Sequence, residues 1–116
     1  MIAKVKTETV ISCAHYLPNY DGKCANLHGH NFRVVVEIEG DIDSKTGMVI
    51  DFTKMKKVID QYDHKSLNDF LSNPTAEELA SEIAYTLFNL ENHKFKSVVV
   101  RVYESYRSYA EVKIVS

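Results

Sequence analysis

The sequence lacks any strong excess of charge. Its 116 residues include 14 lysines and arginines and 16 aspartates and glutamates, for a formal net charge of −2. Proteins that bind nucleic acid or anionic membranes usually show a basic patch, so this composition predicts neither kind of partner. Long apolar runs are also absent. No stretch approaches the roughly 20 apolar residues that a membrane-spanning helix needs, and the opening MIAKVKTETV does not resemble a signal peptide.

Cysteine is scarce, with only Cys13 and Cys24. Secreted domains of this size usually carry several disulfides, so the sequence predicts a cytoplasmic protein with reduced thiols. The hydrophobic content of 45% is typical of a folded globular protein, and the length fits one domain spanning residues 1–116. A domain this small leaves little room for a deep enzyme pocket, which favours a site shared between subunits.

Hydrophobic periodicity predicts strands at both ends of the chain and helices between them. Four segments alternate in the strand-like way: 5–15, 28–39, 98–104 and 110–114. Asp51 can cap a first helix, and Thr75 with Glu78 has capping-box spacing at the start of a second. The order β-β-α-α-β-β predicts an α+β domain with a four-stranded antiparallel sheet and two helices on one face. Oligomer formation is one way to close the open sheet edges.

The sharpest local feature is the sequence His28-Gly29-His30. Residues two apart on a strand point to the same side of a sheet, so both imidazoles can converge on one ion. His15 ends the more apolar face of the preceding strand, where antiparallel pairing could bring it alongside them. Three neutral imidazoles without a fourth protein ligand are typical of an open, catalytic zinc site. Alternatively, backbone hydrogen bonds at a strand entrance satisfy these histidines.

The two cysteines have different expected roles. Cys24 lies in a polar loop four residues before His28, and its thiol could act on a ligand bound at the metal as a base or nucleophile. It could equally be a fourth zinc ligand in a closed, structural Cys-His₃ site, and the spacing leaves both interpretations open. Cys13 lies mid-strand among apolar neighbours and is predicted to be a small core residue.

Asp63 and His64 are adjacent residues that could form an acid–base pair, with the aspartate orienting the imidazole. Adjacent side chains do not usually face each other, however. A solvated helix end, where His64 complements the helix dipole, explains the pair as well. Composition alone favours that second interpretation.

Glu104 continues the apolar face of the third strand, so a carboxylate stands where the pattern predicts an apolar residue. A buried carboxylate needs a partner, and a guanidine-like heterocycle edge with two N–H groups would suit it. Alternatively, the strand has ended and Glu104 is in solvent. Thr75 and Glu77 already have a capping explanation, and His93 lies in a polar stretch that predicts a surface position.

Six motifs, in this order, resemble the 6-pyruvoyl-tetrahydropterin synthase family over essentially the whole chain: CAHYL, CANLHGHNF, GMVIDF, DHKSLN, NPTAEELA and VYES. Three residues separate Cys24 from the HGH element, which resembles the bacterial and archaeal 6-carboxy-5,6,7,8-tetrahydropterin synthases of the queuosine precursor pathway. The animal pyruvoyl synthases have a longer spacing. Members that replace a folate-pathway enzyme typically carry glutamate where this chain has Cys24.

The resemblance implies a tunnelling fold, usually a homohexamer of two trimers with active sites at subunit boundaries. It implies three groups of site residues: Zn²⁺ ligands His15, His28 and His30; a catalytic triad of Cys24, Asp63 and His64 assembled across subunits; and pterin contacts from Glu104, Thr75 and Glu77. The implied substrate is 7,8-dihydroneopterin triphosphate, and the products are 6-carboxytetrahydropterin, acetaldehyde and triphosphate. A pyruvoyl-type synthase and a non-catalytic zinc- or pterin-binding module stay open as alternatives.

Overall fold

The backbone forms one five-stranded sheet with two helices, which confirms the α+β class. The computed structural model describes residues 1–116, except for the side chain of His93, so the predicted surface position of that residue lies outside the described residues. The strands lie in the spatial order β3-β1-β2-β4-β5. The element bounds are β1 Ile2–His15, β2 His28–Asp41, α1 Phe52–Asp60, β3 Lys65–Ser66, α2 Ala76–Phe88, β4 Ser97–Ser105 and β5 Ser108–Val115.

The prediction of a four-stranded, wholly antiparallel sheet is wrong by one short strand. β3 runs parallel to the end of β1, with Cys13 opposite Lys65 and Ala14 opposite Ser66. A two-residue strand is too short to show an alternating pattern, so hydrophobic periodicity could not reveal it. The other three strand pairs are antiparallel, as predicted.

The core lies between one face of the sheet and the two helices. The inward residues of β2 are fully buried, and so are the apolar stripes of both helices; they include Phe32, Val34, Val36, Ile38, Met55, Ile59, Leu79, Ile83 and Leu87. Each such side chain stabilises the fold by roughly 1.5–3 kcal/mol through burial. This packing fixes the sheet against the helices, and the ends of β1 and β2 are held with it. None of the helices in the described chain is long and apolar enough to cross a bilayer.

Both helices begin at the caps that the sequence predicts. The carboxylate of Asp51 accepts a hydrogen bond from the N–H of Thr53 at 2.8 Å, and Oγ1 of Thr75 accepts one from the N–H of Glu78 at 3.1 Å. The second hydrogen bond of the predicted capping box, from the N–H of Thr75 to the side chain of Glu78, does not form. The N–H of Thr75 already donates to the carbonyl of Asn73 at 2.8 Å, and Glu78 Oε2 accepts from the N–H of Asn73 at 3.3 Å instead.

Thr75→Ala is expected to lower the free energy of unfolding by about 1 kcal/mol, because it removes the N-cap acceptor of α2. Urea denaturation followed by circular dichroism measures this change. Thr75→Ser keeps the hydroxyl and serves as the matched control, with little expected loss. An unchanged unfolding free energy in the alanine variant would contradict a capping role for Thr75.

Candidate metal centre and its surroundings

The pairing of β1 with β2 brings three histidines to one end of the sheet. His15 lies directly opposite His28, and His30 lies two residues further along β2 on the same face. The ring centroids are 4.5 Å apart for His15 and His28, 5.4 Å for His15 and His30, and 5.2 Å for His28 and His30. One nitrogen from each ring lies within 4.8 Å of the others. The three side chains therefore converge as the strand parity predicts, and they are close enough to share one metal ion.

The hydrogen bonds of two of these rings leave their Nε2 atoms available. His15 Nδ1 lies 2.7 Å from the carbonyl of Pro74, and His28 Nδ1 lies 2.7 Å from the carbonyl of Asn26. Because a carbonyl only accepts, we assign the proton to Nδ1 in both rings. Metal-bound histidines almost always donate their other N–H in this way. The donor set of three imidazoles, two of them with preset tautomers, thus fits a metal ion.

The environment of His15 favours a metal-ligand cluster over histidines whose hydrogen bonds are all made by the backbone at a strand entrance. The Nε2 of His15 is buried and has no hydrogen-bond partner among the described residues, which is costly for a polar atom unless something binds it. Burial lowers the pKa of His15; the bond to Pro74 opposes this shift, and the nearby imidazoles of His28 and His30 add to it. The neutral form that results is the one that binds metals.

The two cysteines lie in different surroundings, and Cys13 is a core residue, as predicted. Its thiol donates to the carbonyl of Tyr62 at 3.1 Å, and burial, helped by the charge of Asp63, raises the pKa of Cys13 to about 11. Cys24 is partly exposed in the short 3₁₀ helix Lys23–Ala25. Its thiol forms no hydrogen bond with a described residue. Among the described side chains, the group of potential metal ligands consists of the three histidines without Cys24.

Asp63 and His64 contact each other although they are adjacent. His64 has a φ of 59°, in the left-handed region that few residues with a side chain adopt, and its Nδ1 lies 3.1 Å from Asp63 Oδ1. Ser12 of β1 holds this turn: its N–H donates to Asp63 Oδ1 at 2.8 Å, and its carbonyl accepts from the N–H of His64 at 2.6 Å. The bond from Ser12, with a smaller contribution from His64, lowers the pKa of Asp63.

The Asp63–His64 pair is not part of the three-histidine cluster of its own chain. The side chain of His64 is 81% exposed and lines a groove of about 490 Å³ with Ser12, Asn31 and His30. Ser12 and Asn31 have the opposite parity to the metal-site histidines, so their side chains lie on the other face of the sheet. Among the described side chains, no hydrogen bond joins Cys24 to Asp63 or His64. One chain by itself therefore does not assemble the predicted triad.

Glu104 lies at an irregularity of the β4–β5 pairing. Its neighbours in β4 are paired with β5, whereas Glu104 is not. Val102 is the last buried residue of β4, and Glu104, two residues further along the same strand, is exposed. It lines a cavity of about 200 Å³ together with Glu77, which follows the cap of α2. Its charge also raises the pKa of His15 slightly, so this cavity lies near the histidine cluster.

Sequence reasoning missed the groups that support these side chains. The carbonyls of Pro74 and Asn26 hold the imidazoles, and Ser12 holds the Asp63–His64 turn. Every residue has a backbone carbonyl, so the residue type does not show which carbonyl binds a histidine, and no local pattern could identify these groups. Asn68 was also missed as a site residue, although it lies within the DHKSLN motif; it contacts the backbone immediately after His15.

Comparison with known proteins gives a family and a fold. The model of the family described as 6-pyruvoyl tetrahydropterin synthase matches residues 4–114. The 6-carboxy-5,6,7,8-tetrahydropterin synthase of Haemophilus influenzae is 37% identical over 100 residues, which cover 79% of this chain and 67% of that protein. The structure of Caenorhabditis elegans 6-pyruvoyl tetrahydropterin synthase aligns with a TM-score of 0.76 at 26% identity, over 98% of this chain and 96% of the other. The tunnelling fold is thereby confirmed.

One further relative carries the name of a different reaction. A dihydroneopterin monophosphate aldolase from Pyrococcus furiosus is 48% identical over 58 residues. The match covers 47% of this chain and 49% of that protein. The names of the Haemophilus influenzae and Pyrococcus furiosus relatives therefore state different reactions, although both names refer to pterin chemistry.

Proposed function

This chain belongs to the 6-pyruvoyl tetrahydropterin synthase family, and from that premise we propose that it is a zinc-dependent 6-carboxy-5,6,7,8-tetrahydropterin synthase. Family and relatives together support a lyase-type enzyme of pterin chemistry. The proposed substrate is 7,8-dihydroneopterin triphosphate, and the products are 6-carboxytetrahydropterin, acetaldehyde and triphosphate. The proposal places the enzyme in the cytoplasm, in the biosynthesis of queuosine precursors, and treats residues 1–116 as one domain.

The observation that carries the proposal is the three-histidine cluster with the buried, unpartnered Nε2 of His15. His15, His28 and His30 would hold the metal. A bound Zn²⁺ would act as a Lewis acid toward the hydroxyl groups of the substrate side chain, so that neighbouring C–H bonds become more acidic. Three protein ligands leave a coordination position for substrate, as catalytic zinc sites do.

The remaining site residues have proposed roles that match their chemistry. Cys24, outside the ligand cluster, is the base that removes a substrate proton. Glu104 accepts two N–H groups from the guanidine-like edge of the pterin, with Glu77 in the same cavity and Thr75 at the N-cap of the same helix, α2. Bidentate contacts of this kind position the substrate for the groups that react with it.

His64, oriented by Asp63, is the proposed proton donor and acceptor, and a neighbouring subunit supplies it. The imidazole of His64 is 81% exposed and lies outside the histidine cluster of its own chain, which supports this arrangement. The outer edge of β5 and the outer edge of the first part of β1 lack a strand partner among the described residues, and a second copy could cover them. We therefore propose a homo-oligomer, a hexamer of two trimers, with active sites at the subunit boundaries.

A product assay tests the proposal. Zinc-loaded protein incubated with 7,8-dihydroneopterin triphosphate is expected to release acetaldehyde and form 6-carboxytetrahydropterin, and protein stripped of metal serves as the control. Triphosphate release without acetaldehyde would indicate a pyruvoyl-type synthase instead. Bound zinc or pterin without any product would indicate a binding module.

The aldolase is a second candidate because of the 48% identity over about half of the chain. The same assay with 7,8-dihydroneopterin monophosphate distinguishes it. The synthase proposal predicts a strong preference for the triphosphate, whereas faster carbon–carbon cleavage of the monophosphate would support an aldolase.

A further inference from the structure

The outer edge of β1 is covered by other residues only at its metal-binding end. Residues 2–11 have no strand partner on that edge among the described residues, whereas Cys13 and Ala14 pair with β3. Ser12 is bonded to the Asp63–His64 turn. The strand therefore does not need an edge partner in order to form, and the cover is confined to the part of β1 that leads to His15.

Beyond β3, the side chain of Asn68 takes the place of a neighbouring strand and bonds to the backbone that follows β1. Asn68 Oδ1 accepts from the N–H of Tyr16 at 3.0 Å, and Asn68 Nδ2 donates to the carbonyl of Tyr16 at 3.0 Å. One planar amide thus satisfies both backbone groups of one residue, as a neighbouring strand would. The strand pairing itself ends at Ser66, where the 3₁₀ helix Leu67–Asp69 begins.

Tyr16 lies between two functional positions. It directly follows His15, and the next residue, Leu17, donates its N–H to the carbonyl of Cys24 at 2.9 Å. On its other side, β1 is paired with β2 as far as His15 and His28. The amide of Asn68 is therefore the contact that fixes the backbone between the metal ligand and the attachment of the Cys24 loop.

We propose that Asn68 is a positioning residue for both His15 and Cys24. The Asn68 amide holds the backbone of Tyr16 by two hydrogen bonds. These bonds keep the imidazole of His15 directed at the metal position and the Cys24 loop beside the metal position. The inference rests on the metal centre proposed above. Removal of the amide should leave the hydrophobic core intact while the end of β1 becomes mobile.

The test compares Asn68→Ala and Asn68→Asp with wild type. The aspartate keeps an acceptor for the N–H of Tyr16 but places a second oxygen against its carbonyl, so both variants break the pair. Asn89→Ala is the matched control, because Asn89 is exposed at the end of α2 and its side chain forms no hydrogen bond with a described residue. The first measurement is hydrogen exchange at the amides of Tyr16 and Leu17, which should accelerate in the Asn68 variants only.

The second measurement is a Co²⁺ titration of the metal-free proteins, followed by the visible absorption spectrum of the bound ion. The Asn68 variants should bind Co²⁺ on the order of 10-fold more weakly, as loss of an outer-shell contact typically causes, and with a changed spectrum. The third is the rate at which iodoacetamide alkylates Cys24, which should rise several-fold when its loop is released. The Asn89 variant should match wild type in all three.

Each other outcome overturns a specific statement. Unchanged exchange at Tyr16 in Asn68→Ala would show that the amide does not hold this backbone. Accelerated exchange with wild-type Co²⁺ affinity, spectrum and Cys24 alkylation would reduce Asn68 to a structural contact. A wild type that takes up no Co²⁺ would overturn the proposed metal centre, and in that case exchange and alkylation still decide whether Asn68 positions Cys24.

Discussion

His30→Ala is expected to abolish stoichiometric zinc binding and to lower kcat/KM by at least about 100-fold. A catalytic metal contributes several kcal/mol of transition-state stabilisation, and each 1.4 kcal/mol corresponds to about a factor of ten. His30 suits this test because its ring forms no hydrogen bond with a described residue and contacts mainly the other two imidazoles and Phe32. The fold should therefore survive the substitution.

Zinc content per chain after dialysis and the product assay measure the two effects. The thermal unfolding midpoint of the metal-free variant, compared with metal-free wild type, checks that the fold is intact. Full zinc content together with wild-type turnover in His30→Ala would contradict the proposed ligand set. An Asn89→Ala control should keep both zinc and activity.

Cys24→Ala is expected to differ from His30→Ala in its zinc content, which is retained while turnover falls. Loss of a positioned general base typically costs about 10²–10⁴-fold in rate. The expectation rests on the absence of Cys24 from the group of potential ligands among the described side chains. A closed Cys-His₃ site predicts a different result, since removal of one of four ligands would sharply weaken zinc binding. Loss of zinc in this variant would therefore overturn the catalytic role of Cys24.

Thiol alkylation provides an internal check on the same variant. Burial holds the pKa of Cys13 at about 11, so at neutral pH this residue is a protonated, enclosed thiol and should not react. Native wild type should accept one iodoacetamide adduct per chain, at Cys24, and Cys24→Ala should accept none. An adduct at Cys13 in the folded protein would show that the end of β1 opens more readily than its packing indicates.

The sites that the sequence predicted best are those on regular strands. His15, His28 and His30 follow from a period of two, because side-chain direction in a strand depends only on parity. Helix caps were equally accessible, since Asp51 and Thr75 act on backbone N–H groups within a few residues. In both cases the physical cause is local, so a short window of sequence contains it.

The predictions that changed depend on local departures from regular structure. Glu104 keeps the parity of the buried face of β4 but lies beyond its last buried residue, at an irregular pairing with β5, and parity alone cannot reveal where burial ends. Asp63 and His64 contact each other because His64 adopts a positive φ that Ser12 of a distant strand stabilises. β3, only two residues long, exists through its pairing with β1.

By itself, the sequence determined the α+β class, the helix starts, the inward faces of the strands and the three histidines, because each depends on periodicity or a nearby hydrogen bond. Tertiary structure decided what surrounds those histidines. It placed the carbonyl of Pro74 against His15, left the Nε2 of that ring without a partner among the described residues, and kept His64 outside the cluster. These features arise from contacts between segments about 50 to 60 residues apart in the chain, and no local pattern in the sequence encodes such contacts.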